Sequence, residues 1–325
     1  MRKLAIAALL LAVSPPPAAA WNNAGHMTAA GVAYLSLSPE VRTRVDELLR
    51  QHPDFARLAG DFPPDDPDFG AVVFMRAAIW PDLIRGDSRF FDDTNPEAEP
   101  TPALPGFPDM GIHKPWHFID LPFTFDAAAV SQPDEVNALT QIVAFRSALG
   151  DPDVTASEQA YDLSWLLHLV GDIHQPLHSA ARFSALHPSG DRGGNSFLIN
   201  SNERNLHSFW DRSLGTDDDP QRALALAGQL RERFRRWRAT WSTRSGMSAA
   251  SRRTHAPRAP TGGSPTPWPT IGSRSPVNAS PRSSTIGSTE RAPLRLSPGG
   301  TYAGRIEKQV GKPWKTAKTV GPFGL

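Results

Sequence analysis

The sequence contains no cysteine, and acidic residues almost disappear after Trp241. Without cysteine the chain has no disulfide framework, no cysteine nucleophile and no thiolate metal site, so any metal ion must be held by nitrogen and oxygen ligands. After Trp241 there are 13 Lys and Arg against 2 Asp and Glu, whereas the preceding residues have 21 against 31. The net charge of +1 at pH 7 therefore conceals an acidic part and a strongly basic part.

The first twenty residues have the pattern of a secretory signal peptide. The apolar run Leu4–Val13 follows two basic residues and precedes three alanines, and it is too short to span a bilayer. We therefore expect cleavage after Ala20 and a secreted or periplasmic mature protein. Cleavage there would turn the nitrogen of Trp21 into a free amine, which can bind a metal ion.

Residues 21–241 carry mostly helical signals and few strand signals, which predicts an all-α domain. Three helix starts stand out: Ser38 before Pro39, the capping box of Thr155 with Glu158 that leads into the run Tyr161–Ile173, and Asp219 before Pro220. The Asp- and Pro-rich segments 60–69 and 92–110 are predicted as loops, and His117–Leu121 as a short extended segment.

Residues 242–325 form a different kind of sequence, which we separate from the domain at 21–241. Residues 242–300 contain 9 Pro and 12 Ser with a single acid, Glu290. Three explanations fit this composition: a disordered basic tail, a basic arm for nucleic acid, or the product of a frameshift near residues 235–245.

Two His-Asp pairs share the same helical spacing. His168 and Asp172 lie four residues apart, as do His207 and Asp211, so each pair projects from one face of one helix. Such pairs offer imidazole nitrogen and carboxylate oxygen to a common point, as a divalent metal ion requires. His178, just past the first pair, strengthens the prediction of a metal site.

Three further segments could contribute to that site. His26 lies five residues after Trp21, Asp82 lies three before Arg85, and His117 lies three before Asp120. Each also has a structural explanation: Asp82 could cap a helix, Arg85 could be its solvated partner, and His117 could be a hydrogen-bonded core residue.

In order along the chain, these segments resemble the S1/P1 nuclease family of secreted zinc-dependent nucleases that cleave single-stranded DNA and RNA. The resemblance runs from Trp21 to about Trp241 and rests on the N-terminal Trp of the mature chain and on the motifs WPDLIR, WHFIDLP, HLVGDIHQPLH, DRGGNSF and NLHSFWD. It implies a helical domain of the phospholipase C/P1 nuclease type, with three zinc ions at the base of a cleft.

The resemblance also implies a ligand set for each ion. The first zinc would be held by Asp82, His117, His168 and Asp172. The second would be held by His178, His207 and Asp211. The third would be held by the amine and carbonyl of Trp21, by His26 and by the other oxygen of Asp172, which would bridge two ions.

Four more residues receive roles from the resemblance or from their chemistry. Asp120 would orient the attacking water and Arg85 would neutralise charge on the phosphoryl group. Phe118 could stack on an unpaired base, and Asn195, in the turn after Gly193 and Gly194, could contact a nucleobase or simply complete a glycine turn. The remaining histidines are predicted to be structural or exposed: His52, His113, His174, His187 and His255.

The predicted partners are single-stranded DNA and RNA as substrates, without stable membrane association and without an implied protein partner. The acidic charge of residues 1–241 does not exclude such a substrate, because three divalent ions would reverse the field in the cleft. Two alternatives stay open at this stage. One is a zinc-dependent phospholipase C, whose last ligand pair usually reads HxxxE where this chain has HxxxD. The other is an inactive nuclease-like relic with a damaged C-terminus.

Overall fold

The computed structural model describes the backbone of residues 21–254 and the side chains of residues 21–241. The predicted signal peptide and residues 255–325 of the predicted tail lie outside these described residues. The described residues belong to two compact units, 21–234 and 235–254. Their secondary structure is mostly helical, as the sequence predicts.

Eight α-helices occur within residues 21–254. They are α1 (Asn23–Ser36), α2 (Pro39–Leu49), α3 (Phe55–Ala59), α4 (Phe69–Leu83), α5 (Ala138–Ala148), α6 (Ala156–Ile173), α7 (Leu206–Asp211) and α8 (Pro220–Thr254). Short 3-10 turns lie at Ile84–Gly86, Lys114–His117 and Pro176–His178. In this described range, no helix is both long and apolar enough to cross a bilayer.

The predicted helix starts are confirmed by their caps. The Ser38 side chain accepts a hydrogen bond from the Val41 N–H at the start of α2. At the start of α6, Thr155 and Glu158 form both hydrogen bonds of a capping box. These signals are local in sequence, so they fix where α2 and α6 begin regardless of how the helices pack.

Helix α4 lies in the middle of the helical core, packed between α1 and α6. Nearly all of its side chains are buried, as expected for a helix that is apolar on every side. Trp80 of α4 meets Tyr161 and Trp165 of α6 edge-on, with ring centroids 5.5 and 6.4 Å apart. This aromatic packing fixes α4 against α6, and both helices carry predicted metal ligands.

A small parallel sheet departs from the all-α prediction. Strand β1 (Leu121–Thr124) pairs with β2 (Ala180–Phe183), with Leu121 opposite Ala180. The predicted extended segment His117–Leu121 is confirmed in part: Phe118 has an extended backbone and strand β1 begins at Leu121, but His117 belongs to the 3-10 turn. The pairing joins segments far apart in sequence, and it places Asp120 and His178 near the same end of the two strands.

Helix α8 also differs from the prediction. It begins at Pro220, as the sequence indicates, but continues beyond Trp241 to Thr254. The physical reason is that the first proline of the tail is Pro257, so residues 242–254 contain no proline that would interrupt the helix. The change in composition at residue 242 therefore does not coincide with the end of the helix.

Candidate metal centre

Asp172 of α6 lies at the junction of two groups of potential ligands. Its Oδ2 is 3.2 Å from His168 Nε2 and 3.2 Å from His117 Nδ1. Its Oδ1 is 3.2 Å from His26 Nε2. The side chain is completely buried. His168 and Asp172 thus face a common point, as their four-residue spacing predicts. The Asp172 carboxylate also faces the imidazoles of His117 and His26, which belong to other elements.

Asp82 completes the first group from the end of α4. Its Oδ1 lies 3.8 Å from both His117 Nδ1 and His168 Nε2, and it makes no hydrogen bond although it is buried. The Arg85 guanidinium is 3.1 Å from this oxygen, across one turn that changes from α-helix to 3-10 helix. The predicted pairing of Asp82 with Arg85 is therefore present inside the site rather than on a solvated surface.

The second group combines His178 with the pair on α7. His207 Nε2 lies 2.9 Å from His178 Nε2 and 3.7 Å from Asp211 Oδ2. All three residues are buried. Gln175, which is not among the predicted site residues, donates a hydrogen bond of 2.8 Å to Asp211 Oδ1. The sequence signal for Gln175 is its position between His174 and Pro176, inside the HLVGDIHQPLH motif that also contains predicted ligands.

The N-terminal residues reach the same region. The Trp21 indole Nε1 donates to the carbonyl oxygen of Gly171 at 3.1 Å, directly beside Asp172. His26 stacks on His168 with ring centroids 4.0 Å apart, and a Cβ at Gly171 would come within 2.8 Å of His26 Nδ1. Glycine at position 171 therefore allows α1 and α6 to approach closely enough for His26 to face Asp172.

The hydrogen bonds of His178 and His207 show that this site fits a cation. His178 Nδ1 lies 2.6 Å from the carbonyl oxygen of His117, and His207 Nδ1 lies 2.7 Å from that of Gly193. Carbonyl oxygens only accept, so both Nδ1 atoms carry hydrogen, and in a neutral ring Nε2 then carries a bare lone pair. Two such lone pairs at 2.9 Å repel each other unless a positive ion lies between them. Histidine ligands in metal sites are oriented in this manner by backbone acceptors.

Unpartnered atoms in the other groups lead to the same conclusion. His168 Nδ1 donates to the Ala78 carbonyl at 2.7 Å, so Nε2 is the ring nitrogen that faces His117 Nδ1 at 2.9 Å and is available to a metal ion. Both ring nitrogens of His26 and Oδ1 of Asp172 are buried without a hydrogen bond. Buried polar atoms are rarely left unsatisfied, so their convergence indicates an ion-binding site.

The pKa shifts divide the imidazoles of the site. Burial, followed by the charge of His168, lowers the pKa of His26, whereas at His168 burial is outweighed by the charges of Asp172 and Asp82, which raise its pKa. Burial, followed by the charge of Arg85, lowers the pKa of His117 to about 3, and burial, followed by His178, lowers that of His207 to about 4. Burial raises the pKa of Asp211 to about 8. Burial also opposes ionisation of Asp172, but the charge of His168 outweighs it and holds the pKa of this carboxyl well below its ordinary value. His117 and His207 are thus held in the neutral form that binds metals, and a metal ion at His168 would displace the proton that Asp172 favours there.

Three groups within the described residues could each hold a metal ion. They are His26 with His168 and Asp172; Asp82 with His117 and His168; and His178 with His207 and Asp211. Their members are the predicted histidine and aspartate ligands, and imidazole with carboxylate is a donor set that suits zinc. The assignment of each ligand to a particular ion stays a prediction.

A cleft of about 280 Å³ opens onto these groups. Its lining includes four residues with predicted roles in catalysis or substrate binding: Arg85, Phe118, Asp120 and Asn195. The same lining contains His117, His178 and His207 from the metal groups, together with Lys114, Leu177, Arg192 and Gly193. Lys114 and Arg192 were not singled out from the sequence, although Arg192 lies within the DRGGNSF motif.

The other described histidines lie outside the three groups. His52 is buried against Trp80, and His113 is buried between two aspartates. His174 is exposed at the end of α6, and His187 lies half-buried in a turn. His255 is outside the described residues.

Comparison with known proteins agrees with this geometry. The S1/P1 Nuclease family model matches residues 21–258. Endonuclease 5 of Arabidopsis thaliana is 41% identical over 54 residues, which span 16% of this chain and 16% of that protein. The match to this relative thus covers far less than two thirds of its length. The family model covers most of the chain and includes every predicted ligand, and the protein belongs to the S1/P1 nuclease family.

Proposed function

We propose that the protein is a zinc-dependent endonuclease that hydrolyses phosphodiester bonds of single-stranded DNA and RNA and releases 5′-nucleotides. The observation that carries this proposal is the pair of bare Nε2 atoms of His178 and His207, 2.9 Å apart at the base of the cleft. Family membership supports nucleic acid as the substrate class, and the donor set supports zinc. We propose three ions, one for each ligand group.

The residues that would hold zinc are those of the three groups, with Trp21 added through its amine and carbonyl. Zinc ions bound there would supply Lewis-acid activation of water and of the phosphoryl group. Hydrolysis forms a bond between the water oxygen and phosphorus and breaks the bond between phosphorus and O3′. A proton of the water passes to O3′, so the products carry a 5′-phosphate and a 3′-hydroxyl.

Arg85 and Asp120 support this reaction from the wall of the cleft. Arg85 is held by Asp82, and its Nε is buried without a hydrogen-bond partner, so the guanidinium retains a donor for a phosphoryl oxygen. Asp120 is half-buried, and burial, followed by the nearby Asp191, raises its pKa. Its carboxyl group lines the cleft and can accept a hydrogen bond from the attacking water.

Phe118 and Asn195 would select unpaired nucleotides. Phe118 is partly exposed in the cleft, and an aromatic ring stacks on a base only when that base is free of its duplex neighbours. Asn195 donates through Nδ2 to the Arg192 carbonyl at 2.8 Å, so that its Oδ1 can accept from an amino group of a base. This pair of contacts favours single strands over duplex.

The test uses the mature chain that begins at Trp21. Its zinc content is measured beside the hydrolysis of matched single-stranded and double-stranded oligonucleotides and of phosphatidylcholine. We expect bound zinc, faster cleavage of single strands, and no release of phosphocholine. Phe118→Ala should raise KM for single strands by roughly tenfold, since stacking contributes about 1 to 3 kcal/mol per base, while zinc stays bound.

Three outcomes would contradict the proposal. Equal rates on duplex and single strands would remove the role of Phe118. Hydrolysis of phosphatidylcholine without nuclease activity would favour the phospholipase alternative. A chain that shows no cooperative thermal unfolding, with or without zinc, would be the inactive relic.

We further propose that the enzyme acts outside the cytoplasm, after removal of residues 1–20. The signal-like composition of this segment supports the proposal. N-terminal sequencing of the exported protein should begin at Trp21. An intact Met1 in the exported material, or retention in the cytoplasm, would contradict it.

A further inference from the structure

The turn at Arg192 has an unusual backbone. Arg192, Gly193 and Gly194 all have left-handed conformations, with φ of +57°, +57° and +77°. Glycine is required at 193, because a Cβ there would lie 2.1 Å from the Leu177 carbonyl oxygen. No similar clash explains an arginine at 192, where the left-handed conformation costs roughly 1 to 2 kcal/mol that glycine would avoid. The chain therefore has an arginine at a position where the backbone conformation favours glycine.

The turn is rigid and lies against the metal centre. The Gly193 carbonyl orients His207, and the Arg192 carbonyl accepts hydrogen bonds from the N–H and the Nδ2 of Asn195. Asp191 Oδ1 accepts from the N–H of Gly194. The base of the Arg192 side chain is thus fixed one residue from a backbone group that positions a predicted ligand.

Among the described residues that line the cleft, Arg192 is the Arg or Lys side chain without an ion pair. Three cationic side chains line the cleft, and two have carboxylate partners, since Arg85 pairs with Asp82 and Lys114 with Asp92. Arg192 is exposed, and the ion pairs found among the side chains of residues 21–241 do not include it. A guanidinium without a carboxylate, fixed at the edge of an anion-binding cleft, is suited to bidentate binding of phosphate.

We propose that Arg192 binds the phosphate of a nucleotide that flanks the scissile bond, and that it makes the enzyme prefer polynucleotides to substrates with a single phosphodiester. This inference rests on the proposed nuclease function. The scissile phosphate itself belongs to the metal groups and Arg85. Arg85 follows α4, whereas Arg192 lies in the turn that also carries Asn195, the predicted base contact, so the two guanidinium groups line the cleft from different segments of the chain.

The test compares two substrates on the zinc-loaded enzyme. One is a ten-nucleotide single strand and the other is a dinucleoside monophosphate, which has no flanking phosphate. Arg192→Gln should lower the ratio of kcat/KM for the long substrate to that for the short one by roughly tenfold, the effect of one charge-assisted contact. The slope of log kcat/KM against log salt for the long substrate should become shallower by about 0.7, because one phosphate contact is lost.

Two further variants separate charge from backbone effects. Arg192→Gly should keep or raise the unfolding temperature, because glycine prefers φ of +57°, yet it should lower the substrate ratio as Arg192→Gln does. Arg192→Lys should restore part of the ratio. Arg44→Gln on α2 is the matched control, since Arg44 is exposed and does not line the cleft, and it should leave the ratio and the salt slope unchanged.

Other results would overturn the inference. An equal loss on both substrates in Arg192→Gln would assign Arg192 to the scissile phosphate or to the fold. An unchanged ratio would show that it does not contact the strand. A wild-type enzyme that binds zinc but cleaves neither substrate would contradict the proposed function, and that result is visible before any variant is made.

Discussion

The structure contains two kinds of buried histidine, only a few residues apart in sequence. His113 hydrogen-bonds through Nδ1 to Asp93 at 2.8 Å and through Nε2 to Asp109 at 2.7 Å, and it stacks on Trp116. Burial opposes its protonation, but the two carboxylates outweigh burial and raise the pKa of His113 to about 9. This histidine is a charged structural group whose hydrogen-bonding capacity is fully used.

His117, at the end of the following 3-10 turn, has the opposite surroundings. Its Nδ1 faces both the Asp172 carboxylate and His168 Nε2, its own Nε2 has no hydrogen-bond partner, and its pKa is lowered to about 3. Both residues are buried, so burial alone does not identify a ligand. The difference is whether each ring nitrogen has a protein acceptor of its own or shares its space with another lone pair.

The largest expected effect is that of Asp172→Asn, which removes charge from two ligand groups at once. We expect activity to fall on the order of 1,000-fold, and zinc content to fall with it, because amide oxygen is a poor substitute for a bridging carboxylate. Zinc content by mass spectrometry and hydrolysis of single strands would measure both. His174→Ala, two residues away but exposed, is the control. Equal loss of zinc in the two variants would contradict the ligand role of Asp172.

A smaller loss should follow from extending the chain ahead of Trp21. The free amine would be another unpartnered nitrogen of the metal centre, and a peptide bond removes its lone pair. A Met or tag before Trp21 should lower the zinc content and reduce activity by roughly 10- to 100-fold. Proteolytic removal of the extension should restore both. Full activity of the extended chain would exclude Trp21 as a ligand.

The comparison also explains what the sequence could predict. Spacing on a single helix is local, so the His168 and Asp172 pair and the capping box of α6 were predictable from a short window. The backbone carbonyl groups that orient three of the histidines have no side-chain signature. They come from α4, from the turn at Gly193 and from His117 itself, and only the packing brings them to the rings.

Long-range pairing accounts for the remaining differences. Strand β1 pairs with β2 across almost sixty residues, and no alternating pattern in either four-residue strand predicts this. His113 has one partner, Asp109, four residues before it, but its second partner, Asp93, lies twenty residues away, and the sequence does not reveal that contact. The sequence does not single out Arg192, because its distinguishing feature is a left-handed backbone conformation. A glycine-rich motif predicts that conformation for the glycines and not for the arginine.

His113→Gln should destabilise the fold, because it removes the charged group between Asp93 and Asp109, and it should leave the metal centre unchanged. Replacing a charged group that bridges Asp93 and Asp109 should lower the free energy of unfolding by roughly 2 to 3 kcal/mol near pH 6, and zinc stoichiometry should stay at the wild-type value. The pKa of His113 is raised on folding, so its stabilisation is fully present below pH 6.5 and is lost as the pH rises through about 9. Denaturant unfolding of both proteins at several pH values measures this. A difference that stays constant from pH 6 to 10 would contradict the charged state of His113.

The smallest expected effect is the release of protons when zinc binds, which should involve the metal centre and not the structural group around His113. In the metal-free protein the Asp211 carboxyl is protonated at pH 6, because burial raises its pKa to about 8, whereas His207 is neutral because its pKa is about 4. Zinc requires the carboxylate, so binding at pH 6 should release about one proton from this group. At pH 9 the Asp211 carboxyl has already lost its proton, and its contribution should vanish. Calorimetric titration with zinc in buffers of different ionisation enthalpy counts the released protons. Asp211→Asn should remove the pH-dependent part of this proton release, and His113→Gln, the control, should leave it intact. Proton release that persists in Asp211→Asn would contradict Asp211 as the source of the proton. Proton release that disappears in His113→Gln would contradict the purely structural role of His113.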